Sequence, residues 1–460
     1  MPATALRPSA QQYLTDYFRC PEEFTGLATT VPALDGAQGY FTFGQDTTCY
    51  GRLAGVTPAA TPEGPLHDAV DETVIEGGAV RLGFDPQEAI TNLRHETYTG
   101  GDGRSGTTSA AAKVYYLLRP LMAVPVRKHL QKVRLRNWDK RPFPRWPVDF
   151  SVDNLHEQML LVAMRSRGAT QVPFVWFWPE GKAACAMMSH DVETKTGRYF
   201  CGALMDLDDS RGIKGSFTVI PEERYEVPQS YLDSIRARGH EVAVHDLNHD
   251  GHLYDNRARF LARVKKINEY GRKFGAQGFR AAVLYRNQEW FDAFDFAYDM
   301  SVPNVAHLGP QRGGCCTVMP YFIGELLEIP LTSIQDYSLF NILNDYSTTI
   351  WKRQMAMILE RHGLMSFIVH PDYIVDMRAR AVFEALLDHL AEVREREDVW
   401  VALPRQINAW WRRRAAMRVV RHGACWRVEG AGAEHARLAW ATEVDGRLEY
   451  TLEPTRAAAA

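Results

Sequence analysis

The sequence predicts an α/β protein in which a (β/α) barrel lies between β-rich N- and C-terminal segments. From residue 183 to about 410, short apolar segments alternate with longer segments of helical period, which is the pattern of a parallel sheet covered by helices. About seven repeats favour a sheet closed on itself, although an open sheet also fits. The first hundred or so residues and the last forty hold short alternating segments separated by Gly, Pro and Asp, which is typical of strands and turns.

Composition limits the classes of protein that fit. A chain of 460 residues predicts two or three domains, and its net charge of −3 gives no sign of a nucleic-acid partner. Seven cysteines without a CxxC spacing indicate reduced thiols. No window holds the roughly 18 apolar residues of a spanning helix, and the first residues lack the pattern of a secretory signal. We therefore expect a cytoplasmic protein.

The changes of pattern predict four consecutive parts. They are a β-rich domain (1–110), a basic helical or linker segment (111–180), the barrel (181–412) and C-terminal strands (413–460). Within the second part, residues 113–146 carry ten Lys or Arg and one acid. One interpretation is a peripheral membrane contact or a clamp on a phosphate-linked substrate. The favoured interpretation is a solvated helix and linker.

Within the barrel, strands and helices are predicted separately. The predicted strands are the apolar runs AACAMM, GSFTVI, HEVAV, LLEIPL, LMSFIV and VWVAL. The predicted helices are YLDSIRARG, RARFLARVKKINEYGRKFG, TIWKRQMAMILERHG and RAVFEALLDHLAEVRERE.

Residues that can bind a metal ion follow several of these strands, at the edge where barrel enzymes place their sites. After AACAMM come Asp191 and Glu193, which point to one side if the strand continues, so that a cation or a proton is needed between them. The alternative is a helix N-terminus capped by Asp191.

Histidines follow two further strands. His245 and His249, after HEVAV, are four residues apart, and on a helical turn they present both rings to one point, as zinc requires. His370, after LMSFIV, is a candidate general acid. Together, these five residues are the inventory of metal-assisted hydrolysis.

The same residues, in the same order, resemble the motifs of the polysaccharide deacetylase family (NodB-homology domain, carbohydrate esterase family 4). SHDVE resembles its first motif, with the second acid one residue later than usual, and GHEVAVHDLNH resembles its metal-binding motif, with Asp246 in place of Ser or Thr. FRAAVLYRN offers Arg280 and Tyr285 of the third motif but lacks its proline. YDMSVPN is the candidate for the fourth motif, and SFIVH ends on His370 as the fifth motif does.

The resemblance covers about half of the chain, roughly residues 180–410, and implies a distorted (β/α) barrel. It implies a divalent metal ion, zinc before cobalt or nickel, on Glu193, His245 and His249. It implies Asp191 as catalytic base, oriented by Arg280, and His370 as the acid that protonates the departing amine. The implied substrate is an N-acylated, commonly N-acetylated, amino sugar, and a lipid or nucleotide carrier fits a cytoplasmic enzyme.

Other hypotheses stay open. One is a metal-dependent hydrolase of a non-sugar amide, suggested by the altered third motif. Another is a non-catalytic carbohydrate-binding protein, suggested by the shifted carboxylate. His190 has no assigned role, and the glycines of segment 309–321 fit an anion-binding nest or a plain turn.

Overall fold

A computed structural model describes residues 10–25, 28–30, 34, 36–99, 130, 133, 138–306 and 313–454. Most of the basic segment 113–146, including its proposed membrane or phosphate contact, lies outside these residues. Among the described residues, no helix combines the length and the apolar character needed to cross a membrane.

The strands and helices are labelled in chain order. The strands are β1 (Ala28–Thr30), β2 (Gly39–Thr42), β3 (Thr48–Gly51), β4 (Val74–Glu76), β5 (Ala79–Arg81), β6 (Gln171–Val175), β7 (Cys185–Val192), β8 (Gly215–Val219), β9 (Glu241–His245), β10 (Gly278–Arg280), β11 (Tyr298–Asp299), β12 (Tyr321–Ile323), β13 (Leu326–Glu328), β14 (Leu364–Ile368), β15 (Trp400–Val401), β16 (Arg418–His422), β17 (Cys425–Glu429), β18 (Leu438–Val444) and β19 (Arg447–Leu452). The α-helices are α1 (Ala10–Phe18), α2 (Glu22–Thr25), α3 (Pro86–Arg94), α4 (Ser151–Arg167), α5 (Lys195–Asp209), α6 (Gln229–Ala237), α7 (Arg257–Phe274), α8 (Thr349–Glu360), α9 (Pro371–Ile374), α10 (Met377–Arg396) and α11 (Pro404–Ala416). A π-helix spans Tyr337–Leu343. Short 3-10 turns lie at Thr97–Thr99, Trp138–Lys140, Pro179–Gly181, Ala282–Leu284, Gln288–Ala293 and Ala433–His435.

The chain forms two compact units. One contains the described residues of 1–94, 150–182 and 409–460, and the other contains those of 95–149 and 183–408. This grouping differs from the four consecutive parts that the sequence predicts. The reason is that β6 pairs antiparallel with β18, which brings the C-terminal strands and the segment before the barrel into one sheet, β19-β18-β6.

Besides the sheet β19-β18-β6, the strands of the first unit form small separate sheets. They are the sheet β1-β5-β4, the hairpin β2-β3 and the hairpin β16-β17. In this unit α4 buries one long face, including Leu155, Met159 and Val162, and ends at Gly168 in a left-handed conformation.

The second unit is built on one curled sheet, in the order β12-β13-β11-β10-β9-β8-β7-β14, with β15 beside the start of β7. Every pairing is parallel except that of β12 with β13. Every residue of β7, β8, β9 and β14 is buried, as expected for strands covered by helices. The strands and helices predicted from apolar runs and helical period are confirmed. Helix α5 lies outside those predictions.

The edge of the sheet at β14 is joined to the segment after β13 by a few side-chain and backbone hydrogen bonds rather than by a strand ladder. The outer edge of β14 receives residues 332 and 333, which follow β13. Thr332 Oγ1 donates to the carbonyl of Leu364 at 2.6 Å and accepts from the amide of Ser366 at 2.9 Å. Ser333 donates its amide to the Ser366 carbonyl at 3.2 Å. The expected distorted barrel is therefore confirmed as a curled sheet, and Thr332 and Ser333 form the seam along the outer edge of β14.

Helices α5 and α7 begin at capping residues, and α7 ends at a glycine. The side chain of Asn256 accepts from the Arg259 amide at 2.9 Å to cap α7, which ends at Gly275 with φ +60°. Thr194 caps α5 directly after the candidate carboxylates of β7. The caps fix where each helix leaves the barrel rim, and so fix the loops that carry the site.

Replacing Thr332 by Val tests the seam. Because Thr332 is fully buried, the variant leaves the Leu364 carbonyl and the Ser366 amide without partners. We expect the free energy of unfolding, measured by urea denaturation, to fall by about 1–3 kcal/mol. The exposed Thr196→Val is the matched control and should change little. Equal stability of the two variants would contradict closure through Thr332.

Candidate metal centre

The end of β7 places Asp191 and Glu193 on one face. The strand continues through Val192, so side chains alternate and the two carboxylates point to the same side. The helix N-terminus that was the alternative starts later, at Thr194. Asp191 is 3% exposed, and its Oδ2 lies 3.9 Å from Nε2 of His245.

Asp191 is held by two donors on its other oxygen. Its Oδ1 accepts from Thr218 Oγ1 and from Arg280 Nη1, each at 2.7 Å. Arg280 is fully buried, and its Nε donates to the Met300 carbonyl at 3.0 Å, which fixes the guanidinium in place. Burial alone would raise the pKa of Asp191, but Arg280, with His245 and other groups, outweighs it and lowers that pKa below its ordinary value. Asp191 is therefore ionised, and its Oδ2 faces the centre.

Glu193, His245 and His249 converge on one point. Glu193 Oε1 lies 2.8 Å from Nε2 of His249 and 3.8 Å from Nε2 of His245. The three ligand atoms lie within 4.8 Å of one another. Both Nε2 atoms are buried, and neither has a partner with hydrogen-bond geometry among the described residues. Three donor atoms in this arrangement fit a divalent ion of the zinc type.

The imidazole of His245 is oriented by a hydrogen bond on the side of the ring that faces away from the centre. Its Nδ1 lies 3.1 Å from the carbonyl of Arg280, a contact in which Nδ1 carries the proton and donates. That tautomer leaves the lone pair of Nε2 free for a metal ion. Arg280 therefore serves both groups, with its side chain on Asp191 and its carbonyl on His245.

The two histidines meet through a loop, which corrects the expected helical turn. His245 ends β9, and residues 246–249 have no helical conformation. Asp246 and His249 instead have φ of +54° and +57°, in the left-handed region. The amide of Asp246 donates to the Arg280 carbonyl at 2.9 Å, and its Oδ1 accepts from the Leu247 amide at 2.7 Å. The four-residue spacing brings the rings together, but by a different backbone path.

His370 approaches the same centre from β14. Its Nε2 lies 3.5 Å from Glu193 Oε1. On the other side of the ring, Nδ1 donates to Asp336 Oδ1 at 2.6 Å, and the His370 amide donates to Asp336 Oδ2 at 2.7 Å. Burial alone would lower the pKa of His370, but Asp336 and Glu193 outweigh it and raise that pKa well above its ordinary value. The imidazole is thus held in its protonated form.

Sequence reasoning missed Asp336 and Thr218. Asp336 is separated from β13 by residues 329–335, so the rule that selects polar residues directly after a strand does not reach it. Thr218 lies inside the apolar run GSFTVI, where a buried Thr gives no separate signal.

His190 points away from the centre. Its Nε2 lies 2.9 Å from Asp208 Oδ2, with both side chains fully buried, and its Nδ1 lies 3.1 Å from the Val369 carbonyl. The ring also packs on Phe217, with centroids 4.8 Å apart. These contacts tie α5 and β14 to β7, so the structure gives His190 a packing position.

The segments matched to the weaker motifs lie around the same rim. After Arg280 the chain makes a turn in which Val283 and Leu284 have φ of +59° and +55°. In YDMSVPN, Asp299 accepts from the amide of Ser301 at 2.9 Å and lies beside Glu328 of the next strand. Burial raises the pKa of both carboxyl groups.

The glycines of segment 309–321 are described from Gly313 onward. A Cβ on Gly314 would lie 2.1 Å from the Asn304 carbonyl oxygen, so this glycine permits close packing of two backbone segments. That observation favours a plain turn over an anion-binding nest at Gly314. Residues 309–312 lie outside the described residues.

Comparisons with known proteins concern the fold. No family model and no curated protein match this chain. Among solved structures it is similar to a Mycobacterium smegmatis protein named provisionally as a polysaccharide deacetylase, with 20% identity and a TM-score of 0.41 over 52% of this chain and 93% of that one. Puue allantoinase matches with 12% identity and a TM-score of 0.40 over 51% and 92%. The Bacillus subtilis peptidoglycan deacetylase PdaC matches with 10% identity and a TM-score of 0.33 over 51% and 94%.

Each of these likenesses spans about half of the present chain, the same share that the sequence motifs cover. At such identities and TM-scores they carry no argument about activity. The chemistry has to be argued from the side chains of the candidate centre.

Asp336→Asn tests the electrostatic arrangement around His370. The amide removes the negative charge that raises the pKa of His370, so we expect that pKa to fall by about one unit or more. The imidazolium form would then be lost at a lower pH. Nuclear magnetic resonance titration of the histidine ring signals measures this directly. Asp388→Asn, at an exposed carboxylate paired with Arg211, is the control, and an unchanged His370 pKa in Asp336→Asn would contradict the account.

Proposed function

We propose that this protein is a metal-dependent amide hydrolase that removes an acetyl group from an N-acetylated amino sugar or saccharide intermediate. The observation that carries the proposal is the convergence of Glu193 Oε1 with the buried Nε2 atoms of His245 and His249, all within 4.8 Å of one another. For His245, whose Nδ1 donates to the Arg280 carbonyl, an ion would occupy the Nε2 lone pair that is otherwise left without a partner. Two imidazoles and one carboxylate are the ligand set of catalytic zinc sites with an open coordination position.

Zinc is the proposed ion, and cobalt and nickel fit the same donor set. When bound, a divalent ion supplies Lewis acidity, which favours loss of a proton from water and polarises a carbonyl group. Glu193, His245 and His249 would hold it. The remaining groups of the centre then divide the proton transfers between them.

Asp191 is proposed as the general base. Thr218 and Arg280 occupy its Oδ1, so Oδ2 is the oxygen that faces the centre and can accept a proton from the attacking water. Its lowered pKa keeps it ionised at neutral pH. Arg280 acts as a positioning residue, because it fixes the orientation of this carboxylate.

His370 is proposed as the general acid. Asp336 holds Nδ1, so the proton on Nε2 is directed toward the centre and can pass to the departing nitrogen. The raised pKa keeps that proton in place until the amine leaves. The proposed base and acid thus come from neighbouring strands, β7 and β14, and both face the amide group that would react.

The substrate class rests on the sequence motifs. A lipid or nucleotide carrier for the saccharide stays a prediction of the sequence. A non-sugar amide is the second candidate, favoured by the altered third motif, which lacks its proline and makes a turn at Val283 and Leu284. The non-catalytic alternative depended on the shifted carboxylate, and the position of Glu193 beside both imidazoles argues against it.

The metal ion is tested by stoichiometry. We expect about one zinc ion per chain after reconstitution of metal-free protein, measured by elemental analysis after dialysis. His249→Ala removes one of three ligands, so its zinc affinity should fall by more than the roughly 10–100-fold that loss of an outer partner costs. His252→Ala, an exposed histidine three residues further on, should bind zinc as the original protein does. Failure of the original protein to bind zinc, cobalt or nickel would contradict the proposal.

The base is tested by Asp191→Asn. Acetate release from N-acetylated oligosaccharides should fall by about 10²–10⁴-fold, because the amide cannot accept the proton, while zinc binding is retained. Asp388→Asn is the control for a charge lost at the surface. His370→Gln, which leaves the Arg280 contacts intact, should lower the same rate. Acetate release at an unchanged rate by Asp191→Asn would exclude the proposed role.

A further inference from the structure

The loop that carries His249 has an unfavourable backbone conformation. Asp246 and His249 both have positive φ, and each such non-glycine residue costs of order 1–3 kcal/mol unless its surroundings hold it there. Asp246 is fixed by its own contacts to Leu247 and to the Arg280 carbonyl. Those contacts lie at the start of the loop, so the second half needs another support.

That support comes from the segment after β8. The amide of Glu222 donates to the Leu247 carbonyl at 3.0 Å. The guanidinium of Arg224 then spans the next two carbonyls, with Nε donating to Asn248 at 3.1 Å and Nη2 donating to His249 at 2.7 Å. Three consecutive carbonyls of the loop are therefore bonded by residues 222–224.

An ion pair with a carboxylate does not explain the position of Arg224. No carboxylate partner of Arg224 lies within ion-pair distance in the described part of the chain. A positive charge beside the loop disfavours a cation at the centre, since like charges repel. Any benefit of Arg224 to the metal ion must therefore come from geometry, through the planar fork that a guanidinium offers to two acceptors.

We infer that Arg224 is a positioning residue of the metal centre, which clamps the loop of residues 246–249 and so holds His249 in its ligand orientation. The inference rests on the proposed function for the presence of the ion. The clamp itself rests on the hydrogen bonds alone. Outer partners that orient metal ligands typically change metal affinity by 10–100-fold when they are lost.

Arg224→Lys separates geometry from charge. Lysine keeps the positive charge but lacks the fork, so we expect the Kd for zinc, measured by competition with a chelator, to rise about 10-fold. Arg224→Gln loses both, and it should also bind zinc more weakly than the original protein. The control is Arg394→Lys, because Arg394 Nη1 likewise contacts two consecutive carbonyls, those of Arg211 and Gly212, in a different loop. Its zinc affinity should not change.

Amide hydrogen exchange of residues 246–249 gives a second readout that needs no metal ion. In metal-free Arg224→Lys we expect faster exchange in this loop, with the exchange of β7 unchanged. Unchanged exchange together with unchanged zinc affinity would overturn the inference, as would tighter zinc binding by Arg224→Gln. If the original protein binds no zinc, the proposed function fails, while loop exchange still decides whether Arg224 is a clamp.

Discussion

Two carboxylates on one face at the end of β7, the buried Asp191 and the half-buried Glu193, are the constraint on which the centre depends. Asp191 and Glu193 are two residues apart, and holding two negative charges together away from water is costly unless positive groups compensate them. Arg280 compensates Asp191 from β10, at 2.7 Å. For Glu193 the compensation comes from imidazoles and, on our proposal, from a divalent ion. The neighbouring strands contribute the side chains that supply these positive charges.

The barrel supplies them because the C-terminal ends of its parallel strands meet at one rim. Asp191 comes from β7, Thr218 from β8, His245 from β9, Arg280 from β10 and His370 from the end of β14. β7 and β14 are neighbours, which places base and acid on either side of Glu193. Arg280 links two of these strands by its side chain and its carbonyl. The seam at Thr332 and Ser333 holds the outer edge of β14, and hence the strand that carries His370.

The main strands, four residues of the centre and helix α7 could be predicted from the sequence. Buried strands such as AACAMM and LMSFIV are strongly apolar, and polar residues at their ends marked Asp191, Glu193, His245 and His370. The period of two put both carboxylates on one face once the strand was known to continue. Helix α7 was readable from its period, its Asn256 cap and the glycine after it.

Other features depend on contacts between distant parts of the chain, which local patterns do not encode. The loop path between His245 and His249 is left-handed at two residues, so the HxxxH spacing predicted the convergence of the rings but not the backbone. Asp336 lies after a short strand in a segment that ends in a π-helix, and its partner His370 is 34 residues away. The pairing of β6 with β18 joins residues more than 260 positions apart, so the domain grouping required the structure.

An anomalous difference map at the zinc edge, from crystals of the zinc-loaded protein, tests the central claim most directly. The account predicts one strong peak within about 2.0–2.2 Å of His245 Nε2, His249 Nε2 and a Glu193 carboxylate oxygen. Asp191 Oδ2 and His370 Nε2 should face that peak without binding it. A peak bound by Asp191 in place of Glu193, or no peak between the two histidines, would contradict the account.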